Sequence, residues 1–186
     1  MIVPYEPPPA LGDLDLSQIA ELVAQRKLPP VESWNPAKSG DSEMRIAADG
    51  RWFHQGGEIT RPAMLRAFST LLRIEVDGSY WLVTPQEKLS IVVEDVPFIA
   101  VEAQIREANI AFRLNTDDLI IAGPENRIET RLYEGVPVPY LHVRARLWAR
   151  CSRPVYYELA EHALNADPEN RGLWSEGGFF TLDIAR

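Results

Sequence analysis

The residues able to do chemistry concentrate in the run His142-Val143-Arg144-Ala145-Arg146-Leu147-Trp148-Ala149-Arg150, with Arg153 just beyond. Read as one strand from Tyr140 to Arg150, the side chains alternate between two faces. Leu141, Val143, Ala145 and Leu147 then point to a core. His142, Arg144, Arg146, Trp148 and Arg150 line the other face. A row of guanidinium groups beside aromatic rings can grip a phosphate or carboxylate and stack on a planar ring. The same row can also be a solvated face whose arginines pair with Glu129 and Glu134 for little net gain.

A second set lies in the first half: Tyr80, Trp81, Glu87 and Lys88, followed by Glu94 and Asp95. Tyr80 and Trp81 fall on opposite strand faces, so one of them is expected in the core. Glu94 and Asp95 are an acid/base or metal pair by composition. As neighbours on a strand, however, they point apart, and a charged strand end before a proline turn accounts for them better. His54 could titrate near neutrality. Yet His54, His142 and His162 have no metal-ligand spacing. Cys151 precedes a helix start beside arginines, where a thiolate would be stabilised, although a lone cysteine is more often a small buried apolar residue. The chain shows no glycine-rich phosphate loop, nucleophile elbow or zinc pattern, and no cofactor is expected.

Elements must position these groups. A proline-rich arm, Pro7-Pro8-Pro9, leads to a short helix with Leu16, Ile19 and Val23 on one face, capped by Asp15 or Ser17 and stopped at Leu28-Pro29-Pro30. Strands are expected at 44–48 and 51–54 around Asp49-Gly50, at 73–76 and 80–84 around Asp77-Gly78, and at 88–93. In the second half, strands at 98–106, 110–114, 118–122 and 127–133 read as an antiparallel meander, and 178–185 as a closing strand. Two helices start alike, at Thr60-Arg61-Pro62 and at Ser152-Arg153-Pro154, 92 residues apart. That spacing, close to half the chain, with strand, helix and strand each time, points to an internal duplication. The expected organisation is residues 1–36 as arm, helix and connector, 37–96 as a first α+β domain and 97–186 as a second, with mainly antiparallel sheets.

The formal charge is −8, with 46% apolar and 25% charged residues. Such a chain buries a core, and its charge argues against nucleic-acid polymers and membrane surfaces as partners. A single cysteine fits a reducing compartment. No signal peptide or apolar span of about 20 residues is read, so a cytoplasmic location is expected.

One string of motifs runs through Pro29-Pro30-Val31-Glu32 with Trp34-Asn35-Pro36, Asp49-Gly50 with Trp52-Phe53-His54, and Tyr80-Trp81-Leu82-Val83-Thr84-Pro85 with Glu87-Lys88. Val93-Glu94-Asp95, Pro139-Tyr140, Val143-Arg144 and Arg153-Pro154-Val155-Tyr156-Tyr157 continue it. In these residues the chain resembles the proteobacterial family called domain of unknown function 1285. The resemblance implies two domains with a repeated core, the second superficially like a pleckstrin-homology fold, a ligand site between domains, and a nucleotide-like ligand with a role in signal transduction. The combined expectation is a non-enzymatic ligand-binding or regulatory protein. In it Arg144, Arg146 and Arg153 hold a small anion in a cleft between the halves, Tyr80, Trp81 or Tyr156 stack, and Glu87 and Lys88 orient polar groups. Two other readings stay open: a small enzyme using Glu94, Asp95 or His54, and a protein–protein adaptor docking through the proline arm.

Overall fold

Asp15 starts the first helix, α1 (Leu16–Gln25). Its carboxylate accepts from the Gln18 backbone N–H at 2.8 Å, and the Gln18 side chain accepts from the Asp15 N–H at 2.8 Å. This reciprocal capping satisfies two donors that a helix start otherwise leaves open. The structure is a computed structural model and describes residues 4–183. The chain forms two compact units, one of the residues up to Pro7 with Lys27–Pro97, the other of Pro8–Arg26 with Phe98 onward. α1 therefore belongs to the second unit. Ile19 packs there with Leu11 and Leu14 against Ala111 and Leu119.

The first unit holds β1 (Lys38–Ile46), β2 (Trp52–His54), β3 (Gly57–Glu58), α2 (Pro62–Ser69), β4 (Leu72–Ile74), β5 (Tyr80–Val83) and β6 (Glu87–Val93). β1 begins well before the expected Met44 because β6 supplies a parallel partner from Lys38 onward. Its register shifts between Asp41 and Met44, where Glu43 takes a positive φ of 54°. Trp52, Ile46 and Leu72 are fully buried. The guanidinium of buried Arg73 donates to the carbonyls of Val31 at 2.9 Å and Trp34 at 2.7 Å, which pins the proline-rich connector to the edge strand β4.

The second unit adds β7 (Phe98–Arg106), β8 (Asn109–Leu114), β9 (Leu119–Ile121), β10 (Ile128–Tyr133), β11 (Val136–Arg144), β12 (Leu147–Cys151), α3 (Arg153–Ala166), β13 (Gly172–Ser175) and β14 (Gly178–Thr181). Val155, Leu159, Ala160 and Ala163 form the buried face of α3. Each larger aliphatic side chain buried this way contributes roughly 1.5–3 kcal/mol. β13 and β14 form a separate hairpin, so the expected closing strand is only its second half. The end of that expectation, 184–185, lies outside the described residues.

The duplication is carried by the sheets. The first runs β3-β2-β1-β6-β5-β4, and the second, read from its far edge, runs β9-β8-β7-β12-β11-β10. Each is two three-stranded antiparallel meanders joined by one parallel pair, β1 with β6 and β7 with β12. Both helices expected from Arg61-Pro62 and Arg153-Pro154 are present with proline in the first turn. Their places differ, however. α2 connects the third and fourth strands of its sheet, whereas α3 follows the sixth.

One element departs from the sequence reading in a way that matters for function. The run from Tyr140 to Arg150 is two strands. Ala145 takes φ 47°, the chain turns over Ala145-Arg146, and β12 returns along β11. No helix among the described residues is long and apolar enough to cross a membrane.

Candidate functional site

The turn at Ala145 redistributes the arginine row. His142 now faces Trp148 across the two strands, their rings meeting edge-on at 5.1 Å, and Tyr140 faces Arg150. Both ring nitrogens of His142 lie 2.7 Å from carbonyl oxygens, those of Glu125 and Ala145, so this side chain ties down the turn. Arg144 lies over the Phe98 ring at 5.3 Å. Arg146 occupies the turn and is exposed. Arg153 begins α3 at the other end of β12. Five extended residues separate the two ends by roughly 15 Å, so Arg144 and Arg146 do not join Arg153 in holding one anion.

The expected pairing with Glu129 is also different. Glu129 accepts from Arg127 at 2.7 Å and from Arg131 at 3.2 Å, both on its own side of the sheet. Burial pushes its carboxyl up, but the two guanidinium groups outweigh that and hold it below the usual carboxylate range. Those arginines also stack on Trp148, at 4.9 Å for Arg127 and 3.9 Å for Arg131.

Where β12 runs into α3, a cavity of about 520 Å³ opens within the second unit. Its size is in the range of small-molecule sites. Arg150, Ser152, Arg153, Tyr156 and Tyr157 line one side. Tyr133, Glu134, Val136, Pro137 and Val138, from the β10–β11 hairpin, line the other. That hairpin turns through Glu134-Gly135, both at positive φ (50° and 79°), with Tyr133 and Val136 as its closing pair. Such a two-residue turn suits the right-handed twist of the strands. It delivers the Glu134 carboxylate to the cavity rim.

Ser152 stands at the N-cap of α3 but makes no side-chain cap hydrogen bond. Its Oγ is shut off from solvent and has no hydrogen-bond partner. A buried hydroxyl in that state costs on the order of 1–3 kcal/mol. The first turn of a helix also presents uncommitted N–H groups and the positive end of its dipole. Arg153, Arg150 and Ser152 thus make one wall suited to an anion, with tyrosine rings beside it.

Of the expected set, Arg153 and Tyr156 are brought together in this cavity. Arg150, in the original row, takes the place assigned to Arg144 and Arg146. Tyr133, Glu134 and Ser152 were not singled out as ligand groups. Ser152 carried the one usable signal, a hydroxyl at a helix start.

In the first unit, Trp81 and Lys88 share a sheet face, with the ammonium 4.5 Å from the indole ring. Trp81 Nε1 donates to Ser79 Oγ at 2.8 Å, and Lys88 lies 3.4 Å from Glu75. Glu87 pairs with Lys38 at 2.6 Å. Tyr80 and Glu87 belong to the opposite face of the sheet, so these four residues do not converge on one face. Neither Tyr80 nor Trp81 is fully buried, contrary to expectation.

The candidate acid Glu94 is committed elsewhere. Its carboxylate accepts from the Ala48 N–H at 2.8 Å and from Arg45 at 2.5 Å. The backbone N–H, then the guanidinium, hold its pKa below the usual value, the wrong direction for a general acid at neutral pH. Among the described residues no group of three His, Cys, Asp or Glu side chains could hold a metal ion. Cys151 lines the cavity as a buried thiol pushed up to about 12 by burial, so it stays protonated and gives no nucleophile.

Two duplicated six-stranded sheets with helices define a two-domain α+β protein. The family models for the N-terminal and C-terminal domains of the DUF1285 family, a family of unknown function, match residues 29–96 and 97–182. The chain belongs to this family. It is 38% identical to a DUF1285 family protein from Silicibacter pomeroyi DSS-3, over 90% of this chain and 94% of that one, with a TM-score of 0.75. A DUF1285 family protein from Shewanella baltica OS155 shares the fold at 23% identity and a TM-score of 0.52, over 63% of this chain and 90% of that one. No curated protein matches the chain.

Proposed function

We propose that this protein is a non-enzymatic, ligand-binding regulatory protein, and that its ligand presents an anionic group to the β12–α3 junction. The observation that carries this reading is the cavity at the β12–α3 junction, which takes in Arg150, Arg153 and the start of α3. In a chain of formal charge −8, two guanidinium groups and a helix N-terminus on one wall make a local anion site. The tyrosines supply flat apolar surface for the body of the ligand. Phosphate and carboxylate both suit this wall, and a nucleotide-like ligand is one form of it. With Glu94 committed to Arg45 and Cys151 protonated, the reading needs no catalytic group.

The test is calorimetric titration of the full chain with inorganic phosphate, AMP and simple carboxylates. Binding that is lost in Arg153→Ala and kept in Arg144→Ala supports the site. Absence of binding by every one of these anions would sink it.

A further inference from the structure

From this cavity we infer that the ligand is a zwitterion whose cationic end lies at Glu134, of the class of basic amino acids with a free α-carboxylate. The inference rests on the anion-site reading above and goes on to name the ligand.

Arg153 and Glu134 border the cavity from different elements, and the Arg150 guanidinium lies on the ring of Tyr133, the residue before Glu134. Arg153 projects from the start of α3, and Glu134 from the β10–β11 turn. Neither forms an ion pair with any described residue. They also do not pair with each other, although both border the same cavity. The sheet register explains why. β12 runs antiparallel to β11 from the Tyr140–Arg150 pair, so α3 begins beside the Pro137–Val138 end of β11, whereas Glu134 lies beyond Val136 at the hairpin tip. Two strand spacings and a few residues of strand put their backbones on the order of 10 Å apart.

A ligand filling that gap would satisfy both charges. A carboxylate at Arg153 would also lie at the positive end of α3. A cation at the other end would meet the Glu134 carboxylate. Val136 and Val138 line the stretch between, where a methylene chain fits. Glu134 also works against competitors. A ligand with negative charge at both ends, such as a dicarboxylate or a polyphosphate, would place one charge beside this carboxylate.

The probes are L-lysine and L-arginine, compared with norleucine, which has the same backbone without the side-chain cation, and with glutarate, AMP and inorganic phosphate. Titrations use the full chain and its Glu134→Gln and Arg153→Ala variants. Lysine or arginine should bind about fivefold more tightly than norleucine, the upper end of what one exposed carboxylate contributes. Glu134→Gln should erase that preference and leave norleucine unchanged, while Arg153→Ala removes binding of all three. Equal binding of lysine, arginine and norleucine, or a preference that survives Glu134→Gln, overturns the inference. If AMP or phosphate still binds in that case, the anion-site reading stands alone. If no probe binds at all, both fail.

Discussion

Arg150 lies over the ring of Tyr133, its guanidinium carbon 3.8 Å from the ring centroid, and the two residues border the same cavity from different strands. The contact holds the guanidinium plane against the hairpin wall, so Arg150 is placed before any ligand arrives. Cation–π contacts contribute about 0.5–2 kcal/mol depending on exposure. Tyr133→Leu keeps an apolar wall but removes the π face. It should weaken phosphate or carboxylate binding by about threefold to tenfold, while Tyr133→Phe should bind like the parent. Titration of the three proteins with one anion checks this, and equal affinities would show that the stacking does not position Arg150.

How much of this was legible beforehand can be seen at two places. Of the four side chains expected in the core, Leu141, Val143 and Leu147 are buried, whereas Ala145 is exposed in the turn. Because a register shift between His142 and Arg144 offsets the two-residue turn over Ala145-Arg146, buried and outward positions keep their order through it. Periodicity therefore could not reveal the reversal. The turn also lacks the glycine, asparagine or aspartate that marks such hairpins at Asp49-Gly50 and Asp77-Gly78. A straight strand puts Arg144 and Arg146 in line with Arg153, and the hairpin carries them away from it. The family and both helix starts were legible because they rest on local residue strings. The identical strand order of the two sheets was not, since it depends on which distant strands pair.

The turn itself carries measurable strain. Ala145 at φ 47° is a non-glycine residue in the left-handed region, which costs roughly 1–2 kcal/mol. Ala145→Gly removes that cost but adds freedom to the unfolded chain. The net expectation is a stabilisation of about 0.5 kcal/mol. Ala145→Val should destabilise by about 1 kcal/mol or more, because a branched side chain tolerates this region worst. Urea denaturation should rank the proteins Gly, Ala, Val. If valine proved as stable as alanine, the turn conformation would be wrong.

In the first unit, Arg73 is the residue whose loss should cost most per atom removed. It is buried, donates to two connector carbonyls, and pairs with Glu75 at 2.6 Å. Arg73→Met should destabilise by about 3 kcal/mol, since charged hydrogen bonds are lost and carbonyls are left unpaired. The pair also predicts a pH dependence. The Arg73 guanidinium, more than any other neighbour, holds the Glu75 carboxyl below its ordinary value. The unfolded chain then binds the proton more readily, so this contribution is present above the unfolded value of 4.5 and is lost as pH falls through the lower folded value. The destabilisation measured for Arg73→Met should shrink as pH drops below that range. A constant difference down to acid pH would mean that the ion pair contributes nothing.

Cys151 should respond at the other end of the scale. Burial raises its thiol from 9.0 to about 12, and the side chain is almost wholly enclosed. Two outcomes follow from the same desolvation. In the native protein at pH 8 the thiol should not react with a disulfide reagent, and reaction should proceed only as fast as the chain opens to expose it. Above pH 9 the unfolded chain loses this proton while the folded one keeps it, so the folded state binds more protons and stability falls with rising pH until about 12. Tyrosines and lysines titrate in the same interval, so the informative quantity is the difference from Cys151→Ala. That variant is less stable at neutral pH through lost packing, and its deficit should narrow as pH climbs from 9. Rapid labelling of the native protein, or a deficit independent of pH, would show that Cys151 is reachable by solvent and that the cavity floor opens more readily than its packing implies.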